Sequence, residues 1–272
     1  MNPMNAMKSV VMILVASLSI PAAAQSSNAA SAPAASASAD AAGAALGLPI
    51  ATHLSEAIEE LQFVQDGTGP FVDFLKSFGI WTPELRGWGQ RPVERVHPML
   101  RSQGAALVHM NYLSDADMTR MVAEADCDRR SVVVYCPRAS EYFRHPNPGH
   151  APHRYRELLA AGVPVALGTD SAIVLGDAPT ISVLDEMRLL WRRDGTDPMQ
   201  LLAMATVHGA RALGLPPERV RLPWAGRRAA SALCAIRFGE RARSEDSLAA
   251  ALRHGVSQGW LRTSGPGGRS QP

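Results

Sequence analysis

Residues 163–171 read VPVALGTDS, and the fold turns on how this stretch is understood. Val163, Val165, Ala166 and Leu167 form a short apolar run after Ala161 and Gly162, as a parallel strand covered on both faces requires. Asp170 follows at its C-terminal edge, where parallel α/β folds collect their ligands. Taken alone, Gly168-Thr169-Asp170-Ser171 is equally good turn and helix-capping chemistry.

The same design recurs upstream. Residues 46–53, LGLPIATH, make a strand candidate closing on His53. Glu56 follows three residues later, and Ile58, Leu61 and Val64 then mark a helix with Ser55 as its expected cap. On its own His53 fits either a metal ligand or a hydrogen-bonded structural histidine. Residues 105–109, AALVH, form another apolar run closing on His109, and a helix over 114–125 turns Met118, Met121 and Val122 to one face. Residues 131–136, SVVVYC, are a further strand that Pro137 stops, with Cys136 in the core.

His145, His150 and His153 lie among prolines in the following segment, which reads as an irregular lid. His150 and His153 have the spacing of a metal pair, but Pro146, Pro148 and Pro152 favour substrate-loop or surface histidines. Beyond Asp170, Ile181, Leu184, Met187 and Leu190 make one helix stripe. A second helix over 198–213 turns Leu201, Leu202, Met204 and Ala205 inward and stops at Gly214. A strand over 231–238, a helix over 244–254 and a frayed tail over 257–272 complete the chain.

Composition excludes some functions. A net charge of +2 from scattered arginines and 6% aromatic residues leave nucleic-acid binding without support. Three cysteines without a CxxC indicate neither a disulfide framework nor a thiolate zinc site. At the N-terminus, Lys8, an apolar run over 10–20, Pro21 and Ala22-Ala23-Ala24 have the layout of a secretory signal peptide cleaved after Ala24. The apolar run is about half the length that spans a bilayer. The expected organisation is a signal-like segment over 1–24, an Ala/Ser-rich linker over 25–44, a catalytic-type unit over 45–215 and a remnant with tail over 216–272. The protein would be exported to the periplasm if the signal operates, and cytoplasmic otherwise.

With these motifs in order, the chain resembles the amidohydrolase superfamily, in the branch of guanine deaminase, deaminases of modified adenosines and triazine chlorohydrolases. The motifs are THLSE with His53 and Glu56, LVHMNYL with His109, Cys136-Pro137, and GTDS with Asp170. In that family they end strands five to eight of a (β/α) barrel. The resemblance therefore implies an α/β fold, a partial TIM-type barrel with a remnant of a small C-terminal β domain.

It implies a divalent ion, zinc first and iron as the alternative, held by His53 and Asp170 with His109, and catalytic roles for Glu56, His109 and Asp170. Arg138, His145, His150 and His153 would contact an N-heterocyclic substrate, and the reaction would be deamination of a purine or a related ring. The family also draws two ligands from an HxH motif, which this sequence lacks, so the ligand set is incomplete. A homo-oligomer or a completing partner chain is expected. The alternative is a truncated, inactive relative that serves as a partner-binding fragment.

Overall fold

The apolar runs become four parallel strands, β1 (Ile50–Leu54), β2 (Ala105–His109), β3 (Val132–Tyr135) and β4 (Val165–Leu167), hydrogen-bonded in that order into one sheet. The computed structural model describes residues 49–100, 104–123, 131–175, 181–216, 232–237, 247–254 and 256–262. The expectations for the signal-like segment, the linker and Cys127 fall outside these residues. Register places Leu54 beside His109, Val108 beside Val134, and Tyr135 beside Leu167. The strands run the same way, so their C-terminal ends share one rim of the sheet.

The helices α1 (Ile58–Asp66), α2 (Pro70–Ser77), α3 (Pro92–Val96), α4 (Asp115–Ala123), α5 (Pro137–Phe143), α6 (Tyr155–Ala160) and α7 (Val183–Asp194) alternate with or follow the strands. α8 (Pro198–Ala203) and α9 (Gly209–Ala212) continue through a π turn at Met204–His208. Alternate strand residues Leu107, Val133, Tyr135, Val165 and Leu167 pack against Met118, Met121, Leu158, Met187, Leu190, Leu201 and Met204. Each fully buried side chain of this kind contributes about 1.5–3 kcal/mol. Phe63, Phe71, Val72, Leu75 and Leu85 form a smaller cluster under Trp81 and Trp88. Among the described residues no helix is long and apolar enough to cross a membrane.

Several local expectations are corrected. Ser55 does not cap α1: Ala57 occupies that position without a side-chain bond, and the Ser55 hydroxyl is buried without a partner. Glu60, one turn into the helix, reaches back instead and accepts from the Ser55 and Glu56 amides at 2.8 and 2.7 Å. The segment after β3 opens as α5 because Pro137 sits at a position where its missing N–H costs nothing.

Val122, Ile181 and Leu202 are exposed, not inward, because each lies off the buried stripe of its helix or ahead of the helix start. The tail is a strand over part of its length, with β5 (Ala232–Arg237) and β6 (Val256–Arg262) pairing antiparallel and α10 (Ser247–His254) between them. Cys136 is in the core, as expected.

The glycine of GTDS is required by packing. A Cβ at Gly168 would stand 2.8 Å from Val134 Cγ1 and 2.9 Å from Cys136 Sγ, closer than carbon atoms pack. Gly168→Ala is expected to destabilise the fold by about 1–3 kcal/mol, read as a lowered midpoint in urea. An unchanged midpoint would show that β3 and β4 can separate without cost.

Candidate metal centre

Three of the four strands, β1, β2 and β4, deliver polar side chains at or just beyond their C-terminal ends. Ser55, His109, Met110 and Asp170 all take left-handed backbone angles, φ +50°, +71°, +58° and +55°; the first three lie at the ends of β1 and β2, and Asp170 follows β4 after Gly168 and Thr169. For residues other than glycine this conformation costs about 1–2 kcal/mol, and it concentrates where function fixes a side chain. The turns are secured across the rim. The Met110 amide donates to the Leu54 carbonyl at 3.0 Å, and the Tyr112 amide donates to the Ser55 carbonyl at 3.2 Å.

These turns bring His53, His109 and Asp170 together, one ligand atom from each lying within 4.8 Å of the others. The two imidazole rings sit 5.0 Å apart by centroid. Burial pushes the His109 pKa well below its ordinary value, with His53, His145 and His153 adding to the shift. Burial also lowers His53, against an opposing pull from Asp170. Both shifts favour the neutral ring, the state in which an imidazole nitrogen offers a lone pair to a metal.

Glu56 completes the cluster. Its Oε1 stands 3.6 Å from His109 Nε2, too far for a hydrogen bond. Burial, reinforced by the Glu60 and Asp170 carboxylates, pushes the Glu56 carboxyl up to about 8.

Three buried polar atoms, Glu56 Oε2, His109 Nε2 and Asp170 Oδ2, have no hydrogen-bond partner. An isolated orphan of this kind costs about 1–3 kcal/mol. Three at one spot, two of them on carboxyl groups, are what a cation would satisfy, so the residues present fit a divalent ion.

The surroundings contain groups that the motifs did not reveal. Glu60 holds the turn before α1 while Asn111 Nδ2 donates to the Glu56 carbonyl at 3.0 Å, and Ser140 Oγ donates to Asn111 Oδ1. The Glu56 backbone is thus held by Glu60 on α1 and by Asn111 just past β2, which Ser140 on α5 fixes in turn. Arg138 is clamped. Its Nε and backbone N–H donate to the two oxygens of the fully buried Glu186, and its Nη2 donates to the Ser182 carbonyl. Burial pushes the Glu186 pKa up, against the pull of those Arg138 bonds.

His145 is near enough to act on the His109 ring, and its Nδ1 stands 3.0 Å from the Tyr112 hydroxyl, which accepts from the Asn147 amide. His150 packs edge-on to the same tyrosine at 5.3 Å between centroids. His153 is buried, unlike its two neighbours, and both of its ring nitrogens are bonded within the protein.

The sequence profile of the amidohydrolase family matches residues 12–218. This match begins inside the segment with signal-peptide layout and lends that assignment no support. The aminodeoxyfutalosine deaminase of Deinococcus radiodurans is 30% identical over 63% of this chain and 40% of its own length. A probable guanine deaminase of the same organism is 29% identical over 74% of this chain and 42% of its own. The chain thus spans less than half the length of these curated relatives. The crystal structure of Helicobacter pylori aminofutalosine deaminase in complex with methylthio-coformycin superposes with a TM-score of 0.63 at 21% identity, covering 82% of this chain and 52% of that one, which shows a shared fold. The inactive alternative finds no support among these relatives.

Proposed function

Because the chain belongs to the amidohydrolase family, whose profile covers well over half of it, we propose that it is a metal-dependent hydrolase of non-peptide carbon–nitrogen bonds, deaminating a purine or a related N-heterocycle. The observation that carries this is the convergence of His53, His109 and Asp170 within 4.8 Å, lined by orphaned buried atoms. His53, His109 and Asp170 would hold the ion. Zinc is the first expectation and iron the second. Such an ion supplies Lewis acidity and makes water nucleophilic near neutral pH.

The remaining work falls to the chain's own carboxyl groups. Asp170 Oδ2, buried and unpartnered, is the base that takes a proton from the attacking water and passes it to the departing amine. Glu56 delivers a proton to a ring nitrogen as the trigonal carbon becomes tetrahedral, and His109 faces the developing charge beside it. Water adds, ammonia leaves as the hydroxyl proton on the tetrahedral carbon returns to Glu56, and the ring amidine becomes a ring amide. His145 and His150, gathered around Tyr112, are the substrate contacts, and Arg138 contributes through the wall it braces with Glu186.

The four parallel strands correspond in this proposal to strands five to eight of a (β/α) barrel, residues 45–215, followed by a C-terminal unit over 216–272. A separate chain bearing the HxH ligands would complete the site.

The test is metal analysis of the purified chain after dialysis against zinc, followed by ammonia release from guanine, adenosine-type nucleosides and triazines. The parent is expected to retain one ion and His53→Ala to lose it. A parent that retains none and releases no ammonia would defeat the proposal. Methylthio-coformycin, the ligand of the H. pylori relative, serves as a binding probe where turnover is slow.

A further inference from the structure

His153 belongs to the proline-rich segment whose histidines read as substrate or surface groups, yet it is 8% exposed and makes no use of its side chain outside the protein. The Tyr155 amide donates to its Nδ1 at 3.1 Å, so Nδ1 carries no proton and the single ring N–H resides on Nε2. Nε2 lies 2.7 Å from the His109 carbonyl oxygen and donates to it. The ring stacks on Tyr135 with centroids 3.7 Å apart and 17° between planes, and the Tyr135 hydroxyl accepts from Arg193. Tautomer and ring plane are therefore both fixed.

The carbonyl that His153 grips is the one whose residue leaves β2 in a left-handed turn, and Met110 is left-handed immediately after it. Two such residues in succession are costly and persist only when their surroundings determine them. One support is the Met110 amide on Leu54, within the sheet. Another comes from 44 residues away, in the His153 side chain.

We propose that His153 is a positioning residue for His109, its Nε2–H holding the His109 carbonyl in the turn that aims the imidazole into the gap between His53 and Asp170. The role rests on the metal-site proposal above. It replaces direct substrate contact for this histidine, because both nitrogens are already engaged.

The experiment uses the full chain and cobalt(II), whose visible bands report ligand geometry. His153→Asn keeps an acceptor for the Tyr155 amide but is too short to reach the His109 carbonyl, whereas His153→Gln carries an N–H about as far as Nε2. His153→Asn is expected to bind cobalt(II) about 10–100-fold more weakly and to shift the visible bands, with its thermal midpoint near that of the parent. His153→Gln is expected to recover most of the affinity and the parent spectrum. Parent-like binding by His153→Asn overturns the inference, as does equal weakening in both variants, which would mark a merely structural role. Asp170→Asn separates the two levels: if it and the parent bind cobalt(II) equally, or the parent binds none, the metal site itself fails and the inference falls with it.

Discussion

Replacing Asp170 with asparagine is expected to reduce ammonia release by about 100–10,000-fold, the usual contribution of a positioned proton acceptor, while leaving the fold at least as stable. The two readouts should move apart because of where the carboxylate sits. Its Oδ2 is buried without a partner, and its charge adds to the forces that push the Glu56 carboxyl up. An asparagine keeps the shape and puts a neutral group in place of that unpartnered carboxylate, so in the absence of metal the thermal midpoint should hold or rise. Loss of function with retained or improved stability is the signature of a site that evolution has kept strained for its chemistry. A midpoint that falls together with activity would place Asp170 among the structural residues of the rim instead. Adding zinc sharpens the contrast: it should raise the midpoint of the parent by mass action and that of Asp170→Asn by much less.

The strands were legible in the sequence as apolar runs, and the three converging side chains through the motifs that carry them. The runs over 105–108 and 163–167 stop at or shortly before His109 and Asp170, whereas His53 lies inside the half-buried β1 and was singled out by its place in THLSE. What escaped were contacts whose partners are remote or whose backbone is unusual. Glu60 looks like an ordinary acidic residue of a first helical turn, and only the bend at Ser55 turns it into the acceptor for two amides. Nothing in the run His109-Met110 announces two left-handed residues, since neither is glycine. His153 was hidden because proline-rich surroundings suggest a surface loop, whereas the stack on Tyr135 is set by β3. β6 was missed because its partner, β5, ends 19 residues earlier, and a seven-residue segment containing Gly259 carries little strand signal by itself.

Removing the carboxylate of Glu186 should be the most damaging change outside the proposed metal site. Glu186 is fully buried on α7 and accepts both the Arg138 guanidinium at 2.5 Å and the Arg138 backbone N–H at 2.9 Å. The pair thus fastens α7 to the first turn of α5, directly after Cys136 and Pro137 at the end of β3. In Glu186→Ala the guanidinium loses its counter-charge in a largely dry setting, 14% exposed, and one helix-start amide loses its acceptor. Breaking one half of a buried pair costs about 3–5 kcal/mol, which for a domain of this size lowers the thermal midpoint by roughly 10 °C.

The double variant Glu186→Met with Arg138→Met tests whether that cost is a stranded charge or lost packing. Two apolar side chains of similar volume relieve the charge but leave the amide unsatisfied, so most of the stability, though not all, should return. Were Glu186→Ala to lose less than about 1 kcal/mol, the pair would behave as a solvated surface bridge, and the rigid wall assigned to Arg138 beside the site would have no basis.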